Sequence, residues 1–84
     1  MSSPLCLNDI MPGECGRIAS LELSGSLRRR LLDLGMIPGT RVECVGISPF
    51  KDPKAYLIRG AVIALRSRES RLIQLEGKER CTWD

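Results

Sequence analysis

Four cysteines, Cys6, Cys15, Cys44 and Cys81, are the side chains of this 84-residue sequence best equipped for covalent or metal chemistry. Their spacing does not gather them. No two stand closer than nine residues, whereas structural zinc sites place cysteines about two to four residues apart. The chain has no histidine. That removes the commonest metal ligand, the imidazole general base, and every serine–histidine or cysteine–histidine nucleophile. An even number of cysteines in a short secreted domain would suggest disulfides. Nothing before Arg17 has the basic-then-apolar pattern of a secretion signal, so a cytoplasmic location with free thiols is expected. Cys44 alternates with Val42 on one strand face and reads as a small core residue. Cys81 falls in a polar tail. No metal site and no cofactor are expected.

The remaining charges fit no reaction. The carboxylates are scattered among basic neighbours, as on a solvated face; Arg29 and Asp33, at i and i+4, form a pair of the kind that contributes only about 0.3–0.5 kcal/mol. No glycine-rich loop is followed by lysine and serine or threonine, so the chain does not read as a nucleotide hydrolase. A chain of this size buries about 60–65% of its unfolded surface, which leaves no room for a lidded cleft. No catalytic residues and no enzymatic activity are expected.

Binding is the better use of these residues. Arg28-Arg29-Arg30 is the densest charge cluster and suits an acidic partner face, a phosphate backbone or the solvent side of an amphipathic helix. A net charge of +3 with one phenylalanine, one tyrosine and one tryptophan argues against nucleic acid, which selects concentrated basic faces and aromatic stacking platforms. Phe50 stands between Pro49 and Pro53, either as an outward anchor for a partner or as a lid over one end of the core. Met36 and Ile37, beside a Pro-Gly turn, pose the same choice between partner contact and packing on a helix end.

Short elements must position these side chains. Leu27, Leu31 and Leu34 repeat at helical spacing, predicting a helix over Ser26 to Leu34 with Ser26 as its cap. Gly35 sits where a helix ends in the left-handed region, with Met36 placed to fold back on Leu31. Pro38-Gly39 suits a type II turn leading into a strand, Arg41 to Ile47. Gly16 to Leu23 reads as an earlier strand, with Ile18 and Leu21 in the core and a bulge between them. Tyr56 and Ile58 share one face of a third strand that turns at Arg59-Gly60; Ile63 to Leu65 is a fourth, and Leu72 to Glu76 the last. A polar turn, Ser67 to Ser70, precedes it. Short strands with one or two short helices suggest a mainly β fold, a small barrel. One domain is expected over residues 1–77, with 78–84 a polar tail outside it. The longest apolar run, Ala61 to Leu65, is far short of the roughly 20 residues of a membrane helix.

The string Arg30-Leu31-Leu32-Asp33-Leu34-Gly35-Met36-Ile37-Pro38-Gly39-Thr40 resembles the central signature of the ferrous iron transport protein A (FeoA) family. Its continuation, Ser48 to Pro53, Tyr56 to Gly60 and Ile63 to Arg66, occurs in the family's order, and the likeness runs from about Leu5 to Glu76. Lys51 stands where the family usually has glycine. The resemblance implies an SH3-like β-barrel. It also implies a cytoplasmic accessory that binds the ferrous iron permease FeoB, whose cytosolic GTPase domain and membrane domain perform transport. Contact with the membrane would then be indirect. Direct binding of a divalent transition metal, an SH3-like nucleic-acid or ribosome-binding module, and a GTPase activator supplying Arg28, Arg59 or Arg66 are the alternatives; self-association is left open. On this reading Met36, Ile37, Phe50, Arg28, Arg29 and Arg30 form the partner surface, while Gly35, Pro38, Gly39 and Gly60 hold the motif's turns.

Overall fold

The computed structural model describes residues 5–81. Six strands form one antiparallel sheet: β1 (Leu5–Cys6), β2 (Glu14–Leu21), β3 (Arg41–Ile47), β4 (Lys54–Ile58), β5 (Ala61–Leu65) and β6 (Ile73–Arg80). Two helices, α1 (Gly25–Asp33) and α2 (Ser67–Ser70), and a 3-10 turn at Leu7–Asp9 complete the fold. The strand order is β1-β6-β2-β3-β4-β5. The mainly β class with short helices therefore holds, but the sheet does not close through hydrogen bonds into the expected barrel. Its edges are β1 and β5. Leu27 and Leu31 of α1 and its C-cap Leu34 line a groove with Val62 to Leu65 of β5, so a helix rather than a strand lies along that edge, one of the ways a sheet edge is protected.

Alternation selects the core. Val42 and Cys44 of β3 and Tyr56 and Ile58 of β4 are fully buried, as period-2 patterning demands. On β2, register shifts between Gly16 and Ile18 and between Ile18 and Ser20 supply the irregularity inferred from odd spacing. Ile18 is buried and Leu21 only partly so; Leu23, beyond the strand, is buried instead.

The helix ends as its sequence dictates. Gly35 has φ +98, the Met36 N–H donates to the Leu31 carbonyl at 2.9 Å and the Gly35 N–H to the Leu32 carbonyl at 3.0 Å. These are the two bonds of a Schellman motif. Leu31 and Met36 are both buried in the core cluster. Its start differs from expectation: Ser24 is the N-cap and contributes no side-chain bond, while Ser26 lies inside the first turn. Extended backbone at Ser24 suffices to open the helix one residue early. Asp33 and Arg29 form no ion pair; among the described residues the one such pair is Lys78 Nζ–Glu14 Oε1 at 3.8 Å.

The last strand also runs further than expected. Instead of ending at Gly77, β6 continues to Arg80, with Lys78, Glu79 and Arg80 opposite Gly16, Cys15 and Glu14. Residues 78–80 are polar, yet backbone pairing ignores side-chain polarity and β2 offers unpaired backbone there. Residues 1–4 and 82–84, the outer parts of the expected domain and tail, lie outside the described residues.

Candidate docking surface

The two apolar turns singled out in the sequence sit at opposite ends of β3. At its start, the Thr40 N–H donates to the Ile37 carbonyl at 3.0 Å and Gly39 has φ +91, giving the expected Pro38-Gly39 turn. The Gly39 N–H donates to the Ile18 carbonyl at 2.7 Å and Ile18 N–H to the Thr40 carbonyl at 2.9 Å, which fastens this turn to β2. Arg59 and Gly60, at φ 48 and 84, form the two-residue turn between β4 and β5 at the same end, where both central residues need positive φ. A Cβ on Gly35 would land on Arg59 Cδ, so that glycine also makes room for the neighbouring turn.

Met36 is fully buried here and cannot face a partner; its apolar chain serves the helix cap. Ile37 is exposed, but the seven residues of β3, about 20 Å of strand, separate it from Phe50. One surface does not hold both. The expected grouping of Met36, Ile37 and Phe50 is thus corrected: proximity in sequence to a proline turn does not place residues together when a strand runs between the turns.

At the other end, Phe50 is 90% exposed. This removes the lid interpretation. The loop that carries it is held tightly. Lys51 N–H donates to the Ser48 carbonyl at 2.8 Å and Ser48 N–H to the Pro53 carbonyl at 3.1 Å. Ser48 Oγ donates to the Asp52 carbonyl at 2.8 Å and accepts from the Asp52 N–H at 3.2 Å. Asp52 Oδ1 accepts from the Ser67 N–H at 2.8 Å, tying the loop to α2. Lys51 holds φ 70, a region that glycine reaches without steric cost and other residues seldom adopt. Phe50 is the third residue of the Ser48–Lys51 turn and points its ring into solvent.

Two further exposed apolar residues share this end, Met11 and Val45. The Gly13 N–H donates to the Cys44 carbonyl at 3.0 Å, and Met11 Sδ lies 3.7 Å from Lys54 Nζ, whose residue pairs with Ile47. Sequence reasoning missed both. Val45 carried a signal, since it alternates out of phase with Val42 and Cys44; Met11 depends on a contact more than 40 residues away along the chain. Arg28, Arg29 and Arg30 are exposed along α1, with Arg30 beside the α1–β5 groove rather than at the Phe50 loop.

Buried polar groups brace this end. Lys54, 7% exposed, donates from Nζ to the Asn8 carbonyl at 2.7 Å and the Ile10 carbonyl at 3.3 Å. Tyr56 Oη donates to the Leu7 carbonyl at 3.4 Å, and burial pushes its phenol up to about 12. Burial also pushes the Cys44 and Cys6 thiols up, the latter aided by a 3.3 Å bond to Asp9 Oδ2. Among the described residues no group of three or more cysteines or carboxylates converges to hold a metal ion.

A small mainly β domain here presents a rigid, aromatic-tipped loop to solvent. The family model of the FeoA domain matches residues 5–77. The chain belongs to the FeoA family, a family of ferrous iron transport. It is 39% identical to iron(II) transport protein A from Clostridium thermocellum, with a TM-score of 0.78 over 86% of this chain and 44% of that one. The Stenotrophomonas maltophilia FeoA, an SH3 domain protein whose crystal structure is a complex with zinc, gives 23% identity and a TM-score of 0.78 over 90% and 96% of the two chains. A Porphyromonas gingivalis protein that fuses Fe(2+) transport protein A to the Fe(2+) transporter FeoB is 29% identical over 70 residues, which are 83% of this chain and 8% of that protein. The chain thus spans under half the length of the first of these structures and a small fraction of the fusion protein.

Proposed function

We propose that this chain is a non-enzymatic cytoplasmic accessory of ferrous iron uptake that docks on a FeoB-type permease, with Phe50 as the anchor. The observation that supports the docking site is a ring 90% exposed on a loop held by five hydrogen bonds. A solvent-facing aromatic is an energetic liability for a free monomer, and a pre-ordered loop lowers the conformational cost of binding. The permease is favoured as partner because a relative joins the two proteins in one chain; such fusion holds weak partners at high effective concentration. Met11 and Val45 extend the apolar contact on this end. Arg28 to Arg30 lie outside it and act, if they meet an acidic rim, on association rate more than on residence time.

The test is the affinity of the purified chain for a detergent-solubilised FeoB-type permease. Phe50→Ala is expected to weaken binding by about 2 kcal/mol or more, roughly thirtyfold in Kd, with the fold intact. Ile37→Ala, at the far end of β3, is expected to change it little. Unchanged affinity in Phe50→Ala, or a larger loss in Ile37→Ala, rejects this surface.

A further inference from the structure

Two of the four thiols, far apart in sequence, meet in the fold. Beyond Arg80 the chain keeps the β2–β6 ladder for one more bond, the Cys81 N–H donating to the Gly13 carbonyl at 2.8 Å. Cys15 faces Glu79 across that ladder. Cys81 is therefore the diagonal neighbour of Cys15 on the same sheet face. Arg41, on the adjoining strand, donates from Nε to Cys15 Sγ at 3.3 Å, and the Cys81 thiol lies close enough to both groups to feel their charge. Both thiols are free. Cys15 is 1% exposed and lines a shallow groove with Arg41 and Gly77, whereas Cys81 is half-exposed and borders Met11 and Gly13.

We propose that Cys15 and Cys81 form an oxidisable dithiol that hydrogen peroxide converts to a disulfide between β2 and the end of β6. The more accessible sulfur, Cys81 Sγ, attacks a peroxide oxygen; the O–O bond breaks, one water leaves, and Cys81 becomes a sulfenic acid. Cys15 Sγ then attacks that sulfur, forming the S–S bond and releasing the second water. Two thiol protons and two electrons pass to one peroxide in total. The Arg41 guanidinium stabilises the thiolates that carry both steps. Burial, and after it the neighbouring Cys15 thiol, raise the Cys81 thiol to about 11, which slows the first step. The bond would fix residues 78–81 onto β2 next to Gly13 and Met11. This inference does not depend on the docking reading.

Cys6→Ser removes the ambiguity of a second cysteine in the peptide 1–17 and serves as the parent protein. After peroxide treatment and blocking of free thiols, non-reducing peptide mapping is expected to recover 1–17 joined to 81–84 in monomeric protein. The oxidised monomer is expected to melt higher than the reduced one, with the shift reversed by dithiothreitol. Cys81→Ser, at a half-exposed position that keeps its backbone bond, is expected to abolish the link, and Arg41→Gln to slow it several-fold. A link from either peptide to Cys44, a disulfide only between molecules, or over-oxidation of Cys81 with Cys15 left free would each overturn the proposal.

Discussion

The two ends of β3 carry similar sequence, an apolar residue within two positions of a proline, and Met36 and Phe50 are used in opposite ways. At the Ile37–Thr40 end, Met36 is buried under the helix cap, and the structure is made of glycine turns and apolar packing. At the Ser48–Pro53 end, Phe50 stands in solvent, and the structure is made of side-chain-to-backbone hydrogen bonds from Ser48, Asp52, Lys54 and Tyr56. The difference lies in what each apolar residue can reach. A helix terminus folds back on its own preceding turn within five residues. A loop tip whose backbone is satisfied locally leaves its middle residue nothing to pack against.

This contrast has measurable consequences. The largest effect is expected from Met36→Ala, which leaves a cavity in the core and should cost about 2–5 kcal/mol in denaturant unfolding. Phe50→Ala should change stability by no more than about 0.5 kcal/mol. Comparable losses from the two would mean that the ends are not distinguished by burial. Gly35→Val is next, at about 2 kcal/mol or more, because a β-branched residue resists positive φ and its side chain meets Arg59; an unchanged Tm would remove the helix cap from the account.

A smaller loss than that of Gly35→Val probes the hydrogen-bonded end. Tyr56→Phe loses the bond to the Leu7 carbonyl and should cost about 1 kcal/mol near neutral pH. The phenol is raised from 10 to about 12 in the folded protein, so the unfolded chain releases its proton first. The stability tied to this group is complete below pH 10 and is lost as pH rises through about 12. The gap between Tyr56→Phe and the parent should therefore narrow across that window. A gap that stays constant in urea titrations at pH 9.5 and 11.5 would show that the phenol titrates alike in both states.

These two ends also mark where the sequence was legible. The helix stop at Gly35, the Pro38-Gly39 turn, strand β3 and the core positions Ile18, Cys44, Tyr56 and Ile58 all follow from local rules, namely φ restrictions and alternation. What was missed is non-local. The continuation of β6 to Arg80 depends on the unpaired backbone of β2. The openness of the sheet depends on α1 lying along β5. The separation of Ile37 from Phe50 follows only once Arg41–Ile47 is recognised as a rigid spacer between them. Meeting of Cys15 with Cys81 needs the full β2–β6 register, which two bulges shift.

Lys54 gives the same architecture a chemical signature. Of the three lysines, Lys51 and Lys78 are exposed, and only Lys54 is enclosed, its Nζ committed to carbonyls of the Asn8–Ile10 segment. An amine so engaged is shielded from acylating reagents until the segment after β1 lifts away. The order in which the three amines react is thus a clock for local opening of the amino-terminal strap, and a bound partner that pins Met11 would slow its hand.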